Sequence, residues 1–303
     1  MTKKLIIGAV IVVLVGVGAY FLFRNSSKDV VIIPGDESGA TGTDQPPTGG
    51  TPGVVDKTKT VIGQSAGGRD ILAYHYGEGA KEILFVGGIH GGYEWNTALV
   101  AYEMMDFLKM NPTAIASGTK VTVIPVLNPD GLAKVVSSTG KFAKADVNTS
   151  QTVQVSGRFN GNNVDLNRNF DCDWQTKAVW QDKTVSGGSA AFSEPEAQAI
   201  KTYVETKRPV AAVVWNSSAN GVFASNCHAG VLPETLTIAN VYGKASGYKV
   251  YKEFNFYEIT GDMVNWLAKQ GIPAISVLLA THEDTDWTKN EAGIKALLSH
   301  YAK

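Results

Sequence analysis

The sequence contains only two cysteines in 303 residues, Cys172 and Cys227. So few thiols exclude a disulfide-scaffold miniprotein and any zinc cluster built from four cysteines. Neither sign of charge is in excess, because the sequence contains 27 basic and 28 acidic residues and the formal net charge is -1. Without a global basic field, nucleic acid is not an expected partner. The 32 glycines follow no three-residue period, which excludes a collagen-like chain.

Residues 5–23 form a long apolar run, LIIGAVIVVLVGVGAYFLF, without a charge. Its 19 residues are just enough to cross a hydrocarbon core as a helix. Lys3 and Lys4 favour a cytoplasmic N-terminus, so we expect residues 1–4 in the cytoplasm and a single-pass anchor at 5–23. A cleaved signal peptide is the competing interpretation, although GAY at 18–20 is a poor cleavage site. Both interpretations place the bulk of the chain outside the cytoplasm.

Residues 24–59 are rich in Gly, Ser, Thr, Pro and Asp, which is typical of a flexible linker. The globular domain then extends over residues 60–303. In an oxidising compartment Cys172 and Cys227 can pair as a structural disulfide. A reactive thiol is the lesser alternative, because neither cysteine lies in a nucleophile motif.

Strand-like and helix-like patterns alternate from residue 60 onward. Strands are predicted over residues 82–89, 120–127, 210–215 and 274–279, and helices over 95–110, 193–207, 233–245, 261–270 and 290–301. A turn, NPDG at 128–131, ends the second of these strands. The alternation predicts an α/β domain with a largely parallel or mixed sheet. Ligands of such sheets gather at the carboxyl ends of the strands.

Two polar motifs follow this pattern. His90 and Glu94 lie in the glycine-rich segment after the first strong strand, and imidazole and carboxylate together suit Zn²⁺. The second motif, RFNGNNVDLNRNF at 158–170, contains Arg158 and Arg168 among several asparagines. Guanidinium groups grip carboxylates bidentately, so this segment is suited to holding an anionic chain end. The alternative interpretations are a solvated strand–helix turn and a polar loop with ordinary surface arginines.

Together with NPDG and with SEPE at 193–196, these motifs occur in the order found in the zinc carboxypeptidases, or funnelins. From about residue 60 to the C-terminus the chain resembles the bacterial members of this family, and VDLNRNF is the most specific part. The resemblance implies a three-layer α/β/α domain on a mixed, mainly eight-stranded sheet. It also implies a Zn²⁺ cofactor and an active site at the strand ends.

By position, the resemblance assigns His90 and Glu94 as the first two zinc ligands, although three residues separate them here and two in the usual motif. Arg158 matches the arginine that polarises the scissile carbonyl and stabilises the developing oxyanion. Asn167 and Arg168 match the pair that binds the terminal carboxylate of the substrate.

Two further residues match positions that contact substrate. Tyr257, nine residues before Trp266, matches the mobile tyrosine that closes over substrate. Val264 falls near the residue at the base of the specificity pocket, where an apolar side chain suggests an uncharged substrate side chain.

Two family positions are filled differently. Asn216, 126 residues after His90, stands where the third zinc ligand should be a histidine, and an amide oxygen is a weak, neutral ligand. Leu278 stands at the position of the glutamate general base and cannot accept a proton. A positioned base typically contributes a factor of about 10²–10⁴ to the rate. Candidate replacements are His228, His282, Glu283, Asp284, Glu258 and Asp262.

Two hypotheses follow. The first is a membrane-anchored, extracytoplasmic metallocarboxypeptidase-like hydrolase of peptides with a free C-terminal carboxylate, including cell-wall stem peptides. The second is a catalytically inactive pseudopeptidase that binds such chain ends or peptidoglycan fragments. A weaker third possibility is a structural envelope protein, which would bind neither zinc nor peptide.

Overall fold

The computed structural model describes residues 58–138 and 140–303. Its strands are β1 Lys59–Gln64, β2 Asp70–Tyr76, β3 Lys81–Val86, β4 Thr119–Ile124, β5 Lys177–Trp180, β6 Lys183–Ser186, β7 Ala211–Ser217, β8 Gly221–Ala224, β9 Lys249–Tyr251 and β10 Ala274–Leu279. Its α-helices are α1 Trp95–Met110, α2 Pro129–Val136, α3 Gln151–Ser156, α4 Pro195–Lys207, α5 Pro233–Ser246, α6 Met263–Lys269 and α7 Trp287–Tyr301. The expected anchor at 5–23 lies outside the described residues. Within the described part of the chain, no helix has the length and hydropathy needed to span a membrane.

One mixed sheet of eight strands organises the domain. Its strand order is β1-β2-β4-β3-β7-β10-β8-β9, and β5 and β6 form a separate two-stranded hairpin. The four central strands, β4, β3, β7 and β10, run parallel to one another. Antiparallel pairing adds β2 and β1 on one side and β8 on the other. The carboxyl ends of the central strands therefore share one edge of the sheet.

Both faces of the central strands are buried. In β3, Ile83 and Phe85 pack in a core with side chains of α1, α5 and α7, whereas Leu84 and Val86 pack in a second core with α4 and α6. This alternation follows from the two-residue side-chain period of a strand. Helices on both sides of the sheet give a three-layer α/β/α arrangement, and double burial explains why the strand sequences are almost continuously apolar.

The sequence patterns locate the central elements but misplace some boundaries. The segment predicted as a turn at 128–131 contains the start of α2, so that prediction was incomplete. Asn128 is the N-cap of this helix, and its Oδ1 accepts a hydrogen bond from the backbone N–H of Gly131 at 2.8 Å. Pro129 occupies the first turn, where its missing N–H costs no hydrogen bond.

Cys172 and Cys227 are joined in a disulfide, with their Cα atoms 6.1 Å apart. The bond connects the segment that follows the VDLNRNF motif to the segment that follows β8. The pairing expected from the sequence is thus present in the fold.

Candidate functional site

A cavity of about 380 Å³ opens at the carboxyl ends of the central strands. Its lining includes all nine residues that the resemblance assigns to a family position: His90, Glu94, Arg158, Asn167, Arg168, Asn216, Tyr257, Val264 and Leu278. Residues more than 180 positions apart in the chain thus meet in one place, because parallel strands bring their following loops to the same edge.

His90 and Glu94 are held together by a single tight turn after β3. Gly91 has a φ of +48°, and a Cβ atom there would lie 2.6 Å from the carbonyl oxygen of Gly157, so glycine is required. His90 Nδ1 lies 3.0 Å from Glu94 Oε1. The other carboxylate oxygen of Glu94 accepts a hydrogen bond from the backbone N–H of Ser217 at 3.0 Å. The extra residue between His90 and Glu94 therefore does not separate their side chains.

Asp165, which the sequence did not assign to the site, lies behind this pair. Its Oδ1 is 3.4 Å from His90 Nε2, and its Oδ2 accepts hydrogen bonds from Arg158 Nε at 2.8 Å and Nη2 at 2.7 Å. A buried carboxylate on the far nitrogen is a common way to orient a metal-binding histidine. Burial opposes ionisation of Asp165, but the charge of Arg158 and the contact with His90 hold its pKa well below the ordinary value.

Arg158 is fixed in place by aromatic rings as well as by Asp165. Its guanidinium carbon lies 4.4 Å from the ring centroid of Trp180 and 5.6 Å from that of Tyr93. Nη1 is 3.9 Å from Glu94 Oε1, and burial of Glu94 is outweighed by His90 and Arg158, which keep its pKa below the ordinary value. Nothing in the sequence pattern indicated Trp180, because the β5–β6 hairpin brings it in from outside the main sheet.

Asn167 and Arg168 present free donors to the cavity. Arg168 donates Nε to the carbonyl of Val179 at 2.9 Å and Nη1 to that of Asn167 at 2.7 Å. Asn167 Oδ1 accepts the backbone N–H of Met263 at 3.0 Å, which turns its amide nitrogen away from that helix. Arg168 Nη2 and Asn167 Nδ2 are the donors that these bonds leave for a ligand. A carboxylate is the group that such donors suit best.

Asn216 and Leu278 occupy the two altered positions. Asn216 Nδ2 donates a hydrogen bond to Ser276 Oγ at 2.7 Å, and its buried Oδ1 has no hydrogen-bond partner. Leu278 is 8% exposed and offers no proton acceptor to the cavity. The site therefore lacks a side-chain base at this position.

These residues do not match the ligand set of a catalytic zinc, which takes three side chains from His, Cys, Asp and Glu. Among the described residues, one set of three potential metal ligands lies close together, and it consists of Cys172, Cys227 and His228. Its two cysteines are joined in the disulfide, so their sulfurs are not thiolates that could bind zinc. At the family position of the third zinc ligand, His90 and Glu94 are accompanied by the side-chain amide of Asn216. The third group that the cavity offers beside His90 and Glu94 is thus an amide oxygen, which is a weak and neutral ligand for zinc.

Of the candidate replacements, His282 and Asp262 line the cavity. The His282 ring packs 4.7 Å from that of Tyr93, and burial lowers its pKa. His282 does not complete a three-residue group with His90 and Glu94 among the described residues. Outside the cavity lining remain His228, Glu258, Glu283 and Asp284.

Tyr257 and Val264 also line the cavity. Tyr257 is half-buried on the segment between β9 and α6, with its ring 5.0 Å from that of Phe254. Val264 is 8% exposed on α6. Both side chains therefore border the space that a ligand in the cavity would occupy.

The family profile described as "Zinc carboxypeptidase" matches residues 55–297. The chain belongs to the zinc carboxypeptidase family. The resemblance inferred from the motifs is thereby confirmed, and the family implies Zn²⁺ and peptide substrates with a C-terminal carboxylate.

Relatives in this family are distant. The human carboxypeptidase N catalytic chain is 27% identical over 184 residues, which cover 56% of this chain and 37% of that protein. Bacteriocin BCN5 from Clostridium perfringens is 26% identical over 158 residues, covering 51% of this chain and 16% of that protein. The chain thus spans well under half the length of these curated relatives.

Solved structures show the same fold. The murein-tripeptide amidase MpaA from Escherichia coli O157 superimposes with a TM-score of 0.56 at 16% identity, covering 83% of this chain and 94% of that one. Bovine thrombin-activatable fibrinolysis inhibitor, solved with tick carboxypeptidase inhibitor, superimposes with a TM-score of 0.63 at 17% identity, covering 80% and 89%. The zinc carboxypeptidase architecture is therefore retained across most of this chain.

Proposed function

We propose that this zinc carboxypeptidase family member recognises peptides by their free C-terminal carboxylate. The observation that carries the proposal is the pair of unused donors on Asn167 and Arg168, which line the same cavity as His90 and Glu94. The carboxylate would accept hydrogen bonds from both residues.

The charge balance of the cavity supports this role. Arg158 already has Asp165 as its counterion at 2.7 Å. Arg168 is 1% exposed, yet no carboxylate of the described residues lies within the 4.0 Å that defines an ion pair. A buried cation without a partner is costly, so an anionic ligand that pairs with Arg168 gains a charge-assisted interaction.

Whether the protein also hydrolyses the peptides that it binds depends on the metal and on the general base. Family membership and the His90–Glu94 pair favour zinc-dependent peptide hydrolysis. Asn216 and Leu278 oppose it, because they affect both the holding of the metal and the activation of water. We propose that peptide recognition is retained and that hydrolysis is weak or absent, with an active carboxypeptidase as the alternative that family membership supports.

The location of the activity is also a proposal. The apolar run at 5–23 supports a membrane anchor, and the Cys172–Cys227 disulfide supports an oxidising compartment outside the cytoplasm. Peptides in that compartment, including cell-wall peptides with a free carboxylate, are therefore the proposed ligands.

Titration calorimetry on the full chain in detergent tests the recognition step. A short peptide with a free C-terminus should bind at least about tenfold more tightly than its C-terminal amide, because charged hydrogen bonds are worth roughly 1.5–3 kcal/mol. Arg168→Gln should abolish this difference. Arg208→Gln, the same change at an exposed arginine outside the cavity, is the matched control. Equal binding of acid and amide by the unmodified chain would refute the proposed function.

Elemental analysis tests the metal separately. Zinc at one equivalent per chain, together with release of C-terminal residues, would establish the active-enzyme alternative. Zinc well below one equivalent with intact peptide recognition is the result that we expect.

A further inference from the structure

Each cysteine of the disulfide is followed directly by a residue that can bind a metal ion. Asp173 follows Cys172, and His228 follows Cys227. One ligand atom each from Cys172, Cys227 and His228 lie within 4.8 Å of one another. The ligands of one zinc ion each lie about 2.0–2.3 Å from the metal, so they are within about 4 Å of one another. The three side chains are therefore close to the spacing of a single coordination sphere.

Asp173 brings a carboxylate to the same place. Its Oδ1 lies 2.6 Å from His228 Nε2, and its Oδ2 lies 4.0 Å from Cys172 Sγ. The two oxygens of one carboxylate thus reach the imidazole and a cysteine sulfur. Two sulfurs, an imidazole and a carboxylate are four groups, which is the number of ligands that a structural zinc site takes.

A surface ion pair is the simpler explanation of Asp173 and His228, because their side chains are 48% and 74% exposed. Such a pair contributes little to stability. Both residues also have a positive φ, 55° at Asp173 and 62° at His228, a conformation that residues other than glycine seldom adopt. The same costly backbone conformation thus follows each cysteine, and an exposed ion pair does not account for it.

We propose that Cys172, Cys227, His228 and Asp173 form a zinc site when the disulfide is reduced. All four residues lie outside the cavity lining, so the proposal does not depend on the proposed function. Thiolates and imidazole select zinc or copper over magnesium and calcium, and the hard carboxylate favours zinc over copper(I). The ion would join the same two segments that the disulfide joins.

A dithiol supplies the two electrons that open the bond. Cys172 is 3% exposed and Cys227 is half-buried, so the dithiol attacks the sulfur of Cys227 and releases Cys172 as a thiolate. The second thiol of the reductant then displaces Cys227 and closes a cyclic disulfide. The two protons of the dithiol pass to the cysteine sulfurs, and zinc binding releases them to solvent because thiolates are the ligands. The disulfide and the zinc ion therefore exclude each other at these sulfurs.

Cobalt(II) tests the site directly, because thiolate ligands give this ion an intense charge-transfer absorption. The full chain in detergent is reduced with dithiothreitol, freed of the reductant without oxygen, and titrated with cobalt(II) and then with zinc. The reduced chain should bind about one cobalt ion with this absorption, and zinc should displace it. The oxidised chain should not develop the absorption. Cobalt bound at His90 and Glu94 has no thiolate ligand, so the two positions are distinguishable.

Two variants test the ligands beside the cysteines. His228→Gln should weaken zinc binding by the reduced chain at least about tenfold, because it removes one of the four ligands, and Asp173→Asn should weaken it by a similar factor. His300 and Asp171 each form an ion pair with a residue outside this group, so His300→Gln and Asp171→Asn are the matched controls. Both controls should retain the zinc affinity of the unmodified chain.

Urea denaturation shows whether the folded chain binds the ion. Added zinc should raise the urea midpoint of the reduced chain and leave that of the oxidised chain unchanged, because an ion that binds only the folded state stabilises it. A lower midpoint with zinc would mean that the thiols of the unfolded chain bind the ion, which would overturn the proposal. A reduced chain without the thiolate absorption, or full zinc affinity in His228→Gln and Asp173→Asn, would overturn it as well.

Discussion

Leu278 lies directly opposite Asn216 in the parallel pairing of β10 with β7. Residues at the same register on neighbouring parallel strands point to the same face, so the two altered family positions are adjacent in the cavity wall. The same wall contains Ser276, which accepts the amide hydrogen bond of Asn216. The two residues that the resemblance assigns to the third metal ligand and the general base are therefore neighbours in one part of the cavity wall.

The first prediction restores both positions together. The double variant Asn216→His with Leu278→Glu should bind about one zinc per chain and gain carboxypeptidase activity, because it supplies the third ligand and the base. Elemental analysis and release of the C-terminal residue from a peptide measure the two gains.

The single variants separate the contributions. Asn216→His alone should raise the zinc content but give little activity, because the variant still lacks a general base. Such a base typically contributes a factor of about 10²–10⁴ to the rate. Leu278→Glu alone should raise neither. If the double variant binds no more zinc than the unmodified chain, these two residues are not what limits the metal site.

The second prediction concerns the ring over Arg158. Trp180→Leu should lower the free energy of unfolding by about 1–3 kcal/mol, because it removes a buried cation–π contact and part of a small apolar cluster. Urea denaturation measures the change. Lys183→Ala removes the exposed cation on the same ring, 5.2 Å from its centroid, and should cost less than about 0.5 kcal/mol. Equal losses in the two variants would contradict a special role for the Arg158 contact.

The third prediction concerns the disulfide. The variant Cys172→Ser with Cys227→Ser should unfold with a free energy about 2–4 kcal/mol lower, because the bond closes a loop with a sequence separation of 55. Urea denaturation without reductant measures the loss. Reductant should destabilise the unmodified chain by a similar amount and leave the variant unchanged, so a reductant effect on the variant would point to another cause.

The same double serine variant should also weaken peptide recognition. The carbonyl of Cys172 accepts the backbone N–H of Gly261, the residue before Asp262, and Cys227 follows Asn226 directly. The bond therefore ties together two segments that contribute residues to the cavity lining. We expect a loss of affinity for a peptide with a free C-terminal carboxylate, which calorimetry measures.

The central strands and helices were predictable because hydrophobic periodicity reports burial directly. The strands β1, β2, β8 and β9 and the β5–β6 hairpin were not predicted, since most of them are short or have exposed residues without a clear alternation. Site residues within compact motifs, such as His90 and Arg168, were recognisable because the chain itself places them together. Trp180 was not, because its contact with Arg158 exists only after the hairpin folds over the cavity.

Patterns in the sequence were enough to predict the resemblance to the family and the four central strands of the sheet, β4, β3, β7 and β10. These features depend on local pattern and on motifs that stay contiguous in the chain. Which side chains lack partners depends instead on the tertiary packing. Arg168 and Asp262 are 94 positions apart, and whether each finds a counterion is set by the packing of distant segments in a low-dielectric cavity, which no local pattern encodes.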